Sequence, residues 1–211
     1  MPRYRLVIFD FDGTLADSAA WFFGVINDVA RRYRFRQTTP EEREALRSMS
    51  TREILAALEI SSWKVPFIAS HMRRRVARHV EEIHAFPWVT SLFEQLASEG
   101  VTIAIVSSNT EPNIVRVLGQ AAAGRVRGFG GGASLFGKAK QFERMVKQHG
   151  FAPSEVVSVG DEVRDIQAAR QCGMGTIAVS WGLASESALR AAKPDAVVST
   201  IEELTERLLP R

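Results

Sequence analysis

Two aspartates close a short apolar run near the N-terminus, in Leu6-Val7-Ile8-Phe9-Asp10-Phe11-Asp12-Gly13-Thr14. Side chains alternate along an extended chain, so Asp10 and Asp12 can point to one side while Phe11 points to the other. Burial penalises two acids at the end of an apolar segment unless something compensates for their charge. A second pair, Asp161 and Asp165, follows the apolar run Val156 to Val159, and a helix opening there places these carboxylates one turn apart on one face. If the two runs are neighbouring strands, three or four carboxylates converge, and each close pair of like charges costs up to about 4 kcal/mol in a partly screened site. Such a cluster calls for a cation. Hard oxygen donors without His or Cys companions favour magnesium over zinc. Taken singly, Asp161 also reads as a helix cap or turn residue.

A different chemistry gathers after Val101 to Val106, where Ser107-Ser108-Asn109-Thr110 precedes a helix opened by Pro112. Hydroxyls, an amide and free backbone N–H groups at that point suit phosphate oxygens, although Ser, Asn and Thr are also ordinary caps. Lys138 follows Gly137 at the start of another helix, where a cation opposes the helix dipole. A bound phosphate would account for it. A solvated lysine is the bland alternative, and Lys140 is a second candidate for the same role.

These residues need elements to hold them. Short apolar runs at 6–9, 101–106, 156–159, 176–179 and 196–198 alternate with helix-length segments at 88–98, 112–120, 138–149, 163–172 and 186–192. That rhythm predicts an α/β fold with a doubly wound parallel sheet, whose ligands bind beyond the carboxyl ends of the strands. The stretch from Ala16 to Ala85 breaks it, with helical patterns and no convincing strand, and reads as an all-helical insertion. Met72, Val76, Val80 and Ile83 form an apolar stripe there. Arg73, Arg74, Arg75 and Arg78 fall largely off it, reading first as a solvated face and second as a surface recruiting an anionic substrate.

Composition excludes several classes. The 211 residues carry 45% hydrophobic and 24% charged side chains, as expected of a soluble globular protein with a sizeable core. A net charge of +3 is too small an excess to indicate nucleic-acid binding. No apolar run reaches membrane-spanning length, and the short run ahead of Asp10 lacks the features of a signal peptide. Cys172 stands alone, so neither a disulfide nor a cysteine metal cluster is expected and the chain reads as cytoplasmic.

Taken together, Asp10-Phe11-Asp12-Gly13-Thr14-Leu15, the strand ending in Ser107, Lys138, and Gly160-Asp161 with Asp165 resemble, in order and spacing, the four signatures of haloacid-dehalogenase-like hydrolases. The phosphoglycolate-phosphatase-like branch looks closest. The resemblance implies a Rossmann-like core over 1–15 and 86–211 with a helical cap over 16–85. It implies Asp10 as nucleophile and Asp12 as general acid and then base, in a covalent two-step phosphatase. It further implies magnesium held by Asp10, the Asp12 main-chain carbonyl and Asp161 with Asp165 assisting, and phosphoryl charge neutralised by Ser107 and Lys138. Ser108 and Asn109 join the phosphate-binding set by position. The partner implied is a small phosphorylated metabolite, with no nucleic acid and no membrane. Asp12 argues against dehalogenation, since expelling halide needs no proton donor. A phosphomutase of the same fold would retain both acids. Ala139 follows the lysine where phosphoglycolate phosphatases often carry proline.

Two rivals come from other classes. Gly132 to Lys138 has the glycine and lysine spacing of a nucleotide-binding P-loop, but position 139 is Ala and offers no hydroxyl for magnesium. A phosphate-sensing module that kept the pocket and lost turnover is the non-enzyme alternative. Trp21 and Trp181, close after proposed site segments, read as packing residues, and Thr51 and Arg52 as insertion residues able to face a substrate. The four histidines have no metal-like companions.

Overall fold

The computed structural model describes residues 3–131 and 137–209. The chain begins with β1 (Leu6–Phe9), passes through the two-residue β2 (Ala16–Asp17), and enters a helical insertion of α1 (Ala19–Tyr33), α2 (Pro40–Leu46), α3 (Thr51–Ala57) and α4 (Val65–Arg78). It returns through β3 (His84–Ala85) to α5 (Val89–Ser98), β4 (Thr102–Val106), α6 (Glu111–Ala123), β5 (Val126–Gly130) and α7 (Lys138–His149). The remainder is β6 (Val156–Gly160), α8 (Val163–Gln171), β7 (Gly175–Val179), α9 (Glu186–Ala191), β8 (Ala196–Val198) and α10 (Ile201–Leu208).

Among the described residues, the main sheet runs β5-β4-β1-β6-β7-β8 with every pairing parallel. Order reverses at β1, the point where an open α/β sheet forms its ligand crevice. All of β1 is buried, because helices cover both faces and a strand so placed reads as a continuous apolar run. Phe9 registers with Ile105 of β4 and Val159 of β6, so the acids after β1 lie between the polar turns after β4 and β6. Two apolar layers sandwich the sheet. Val7, Phe9, Ile103, Ile105, Val157 and Val159 face one, whereas Leu6, Ile8, Ala104, Val106 and Val156 face the other with Phe142 and Met145 of α7.

The expected strands and helices of the core are present with ends shifted by a residue or a few; β5 and α10 are additional to them, and the stretch expected to be all-helical carries the short strands β2 and β3 at its two ends. β5 lies at the edge in Val126-Arg127-Gly128-Phe129-Gly130, which reads as a glycine cluster because glycine weakens strand signals. Close packing explains the glycines: a Cβ at Gly128 would stand 2.6 Å from Met145 Sδ, and one at Gly130 would stand 3.0 Å from Val106 Cγ2. The sequence segment that resembled a P-loop lies mostly outside the described residues, at 132–136.

The insertion has its own core, in which Val29, Ala30, Phe35, Leu46 and Leu58 are buried against Ile54, Ile68 and Met72. Capping boxes begin α2, at Thr39 with Glu42, and α3, at Ser50 with Glu53. The β2–β3 ribbon, pairing Ala16 with Ala85 and Asp17 with His84, ties the two crossings between insertion and sheet together. Val76, Val80 and Ile83 of the expected stripe are buried, with Met72 partly so. The arginine row is not uniformly solvated. Arg74 and Arg78 are exposed, Arg75 pairs with Asp28 at 2.9 Å, and Arg73 turns inward.

Candidate active site

The strand ends bring the acids together. Carboxylate oxygens of Asp10, Asp161 and Asp165 lie within 4.8 Å of one another, and all three residues are buried. Asp161 sits in the turn after β6, and Asp165 in the first turn of α8, where its Oδ2 accepts the Glu162 N–H at 3.2 Å. Asp10 Oδ1 accepts the N–H of Phe11 at 2.8 Å, and Phe11 itself is fully buried on the opposite side, as strand alternation requires.

Lys138 enters this cluster from the start of α7, with Nζ 2.9 Å from Asp10 Oδ2 and 2.5 Å from Asp165 Oδ1. It is buried, whereas Lys140 is exposed. Burial alone would lower its pKa, but the charges of Asp10 and Asp165 outweigh that and hold the ammonium above its ordinary value. Burial raises the carboxyl of Asp165 even against the pull of Lys138. Asp161 is pushed well up by burial first and then by Glu162, Asp10 and Asp165.

Asp161 is held with little freedom. Thr14 Oγ1 donates to its Oδ1 at 2.9 Å, and the Leu183 N–H donates to its Oδ2 at 2.7 Å. Two glycines let the backbone close around it: a Cβ on Gly13 would lie 2.2 Å from Oδ2, and a Cβ on Gly182 would lie 2.3 Å from the same atom. Gly13 also takes φ +76°, a conformation that side-chain-bearing residues rarely adopt. The Trp181 indole N–H donates to the Thr14 carbonyl at 3.2 Å, so this tryptophan packs the turn and does not enter the site.

Asp12 stands apart from the three-acid cluster. Its Oδ2 accepts from Asn109 Nδ2 at 3.4 Å, and its Oδ1 is buried with no hydrogen-bond partner among the described residues. Burial, and secondarily the charge of Asp10, push its carboxyl up to about 7 against hydrogen bonds from Ser18 and Asn109.

On the β4 side, Ser107 is buried and its Oγ accepts the Asn109 N–H at 3.1 Å, which leaves its proton free to donate elsewhere. Asn109 is buried too, with Oδ1 accepting from the Thr110 N–H and Asn113 Nδ2, both at 2.9 Å. Ser108 lines the adjoining cavity with Asp12, and its carbonyl accepts from Arg73 at 3.5 Å. Every residue selected from the sequence as catalytic, phosphate-binding or metal-binding thus borders one region. Thr51 and Arg52 line a neighbouring cavity of about 410 Å³ with Lys138 and Arg164.

Sequence reasoning missed several participants. Thr14 lies inside the first motif and its hydroxyl was available as a signal. Arg164, half-buried and paired with Glu162 at 2.5 Å, lies between the two acids of the second pair. Gly182 and Leu183 carried no local signal, because their role exists only through contact with Asp161.

The donor set fits a hard divalent cation. Its atoms are buried carboxylate oxygens within 4.8 Å of one another, and among the described residues no His or Cys joins the group. Fold and site together define a class of hydrolytic enzymes in which acids at the ends of adjacent parallel strands meet a lysine beneath a helical insertion. Residues 7–179 match the haloacid dehalogenase-like hydrolase family, and the chain belongs to it. It is 31% identical over 203 residues to the phosphoglycolate phosphatase of Synechococcus elongatus, covering 96% of each chain. It is 26% identical to the probable phosphatase IndB of Dickeya dadantii, covering 94% of this chain and 91% of that one. The fold also superposes on a haloacid dehalogenase-like family hydrolase from Streptococcus pneumoniae with a TM-score of 0.76 at 20% identity, covering 96% of this chain and 97% of the other. The chain is an enzyme of the family's phosphatase branch. Among the described residues, no helix is long and apolar enough to cross a membrane.

Proposed function

We propose that the protein is a magnesium-dependent phosphatase that hydrolyses a small phosphomonoester, phosphoglycolate-like in its chemistry, through a phospho-aspartate on Asp10. The observation that carries this reading is the division between neighbouring acids: Asp10 in the charged cluster against Lys138, and Asp12 outside it with a raised pKa. In this reading 1–15 and 86–211 form the catalytic core and 16–85 form a cap over it. A cytoplasmic location is consistent with the single cysteine.

The substrate phosphoryl group lies against Ser107, the Ser108 and Asn109 turn, and Lys138, which donate to its oxygens and hold it for attack. Asp10 Oδ attacks phosphorus and the bond to the ester oxygen breaks, while Asp12 gives its proton to the departing alkoxide. An alcohol leaves. Asp12, now a carboxylate, removes a proton from a water that attacks the phospho-aspartate, which restores both acids and releases phosphate. Asp10, Asp161, Asp165 and the Asp12 carbonyl would hold magnesium, whose contribution when bound is to offset charge on the carboxylates and the phosphoryl oxygens. Thr14 and Leu183 keep Asp161 aimed throughout.

The test is hydrolysis of para-nitrophenyl phosphate by purified protein with magnesium and with excess chelator. Turnover that needs the cation is expected. Full turnover in chelator, or binding of phosphate esters with no turnover, would overturn the reading.

A further inference from the structure

A cavity of about 230 Å³ opens directly above Asp12, between the insertion and the sheet. Asp12, Ser108 and Asn109 form its floor. Its walls are aliphatic and aromatic side chains, Phe22 from α1, Leu55 from α3, and Ile68, Ala69, Met72 and Val76 from α4. Its polar residues are Asp12, Arg73, Ser108, Asn109, Glu162 and Arg164, of which Asp12 Oδ1 and Arg164 Nε have no hydrogen-bond partner among the described residues. Glu162 and Arg164 neutralise each other at 2.5 Å, and Arg73 is drawn to the phosphate-side turn through the Ser108 carbonyl at 3.5 Å.

Because Asp12 protonates the departing oxygen in the function proposed above, the body of the leaving alcohol must occupy the space above it. An aliphatic wall gives no return for dehydrating a carboxylate, whereas it favours burying carbon. A short hydroxy acid would also leave most of the cavity unfilled. We propose that the preferred substrate is the phosphomonoester of an alcohol with a compact apolar body, branched aliphatic or aromatic, and not of a short hydroxy acid. This rests on the phosphatase reading and replaces its phosphoglycolate-like leaving group with an apolar one. Arg73 then serves the phosphoryl end, and specificity comes from the α1, α3 and α4 wall.

The experiment compares kcat/KM for ethyl phosphate, 3-methylbutyl phosphate, 2-phenylethyl phosphate and 2-phosphoglycolate, with para-nitrophenyl phosphate as a reporter of the chemistry. The three alkyl esters leave as similarly basic alkoxides, so differences among them report contact with the wall. Either larger ester is expected to exceed ethyl phosphate by about 30-fold or more, and 2-phosphoglycolate to do no better than ethyl phosphate. Ala69→Leu, which fills the cavity, and Met72→Gln, which makes its wall polar, should each reduce the preference of 2-phenylethyl over ethyl phosphate by about 10-fold. A flat series, or preference for 2-phosphoglycolate, alongside normal para-nitrophenyl phosphate hydrolysis overturns this inference and leaves the phosphatase reading intact. Failure to hydrolyse para-nitrophenyl phosphate overturns both.

Discussion

Lys138 Nζ stands 2.5 Å from Asp165 Oδ1 inside the protein, joining the first turns of α7 and α8 across 27 residues of sequence. The same ammonium reaches Asp10, so it offsets two of the three clustered carboxylates. Removing one member of a buried ion pair leaves the other charge uncompensated, typically at a cost of about 3 kcal/mol or more. Lys138→Met is therefore expected to lower the melting temperature in chelator, and to lower it less in saturating magnesium, where a second cation meets the acids. Activity should fall by about 100-fold or more. Melting curves under both conditions check this, and an equal drop in each would count against the shared role.

The raised acids give the metal-free protein a distinctive pH response. Burial and Asp10 push Asp12 up to about 7, with Ser18, Asn109 and Arg164 opposing, and burial also raises Asp161 and Asp165. A carboxyl with a raised folded-state pKa binds its proton more tightly than in the unfolded chain. Its stabilising contribution is complete below the unfolded value near 3.8 and is lost as pH rises through the folded one. In chelator, the melting temperature should fall by roughly 5 °C or more between pH 5 and pH 8, and Asp12→Asn should flatten part of that slope. A metal-free melting temperature that climbs over this interval would contradict the burial argument.

A latch joins the insertion to the sheet at Arg47, whose Nε donates to the Leu183 carbonyl at 3.0 Å and whose Nη2 donates to the Gly182 carbonyl at 3.2 Å. The same Leu183 gives its N–H to Asp161, so one loop connects α2 to the acid cluster. Arg47→Ala should raise the magnesium concentration for half-maximal activity by about 10-fold while leaving the fold intact. Unchanged magnesium dependence would show that Asp161 is positioned without the latch.

Glycine substitutions separate close approach from simple flexibility. Gly182→Ala would drive a methyl to 2.3 Å from Asp161 Cβ, and a cost of about 2 kcal/mol with loss of activity is expected. Gly24, inside α1, has nothing within 4 Å of a built Cβ, and Gly24→Ala should stabilise by about 0.5 kcal/mol or more. Denaturant titration of both variants checks the contrast, and equal effects would refute it.

What could be read in advance follows from how each signal is encoded. β1 and β6 are buried on both faces, so their apolar runs were visible in sequence, and the acids after them stood out because burial makes acids costly. β5 was invisible because tight packing under α7 selects glycine where strands usually carry branched residues. Arg73 was read with a solvated row, since helical periodicity shows which residues leave the stripe but not which neighbour they meet. Leu183 serves Asp161 through its backbone N–H, a role that side-chain identity does not record.

The central claim, that Asp10 takes the phosphoryl group while Asp12 moves the proton, is tested most directly by trapping the intermediate. Asp12→Asn keeps the attacking carboxylate and removes the proton carrier, so a substrate with a good leaving group should still load the protein while hydrolysis stalls. After acid quenching, peptide mass spectrometry should place one added phosphate on Asp10, and Asp10→Asn should show neither the adduct nor turnover. Phosphate found on Asp12 of the wild-type protein, or an Asp10→Asn variant with near wild-type activity, would contradict the account.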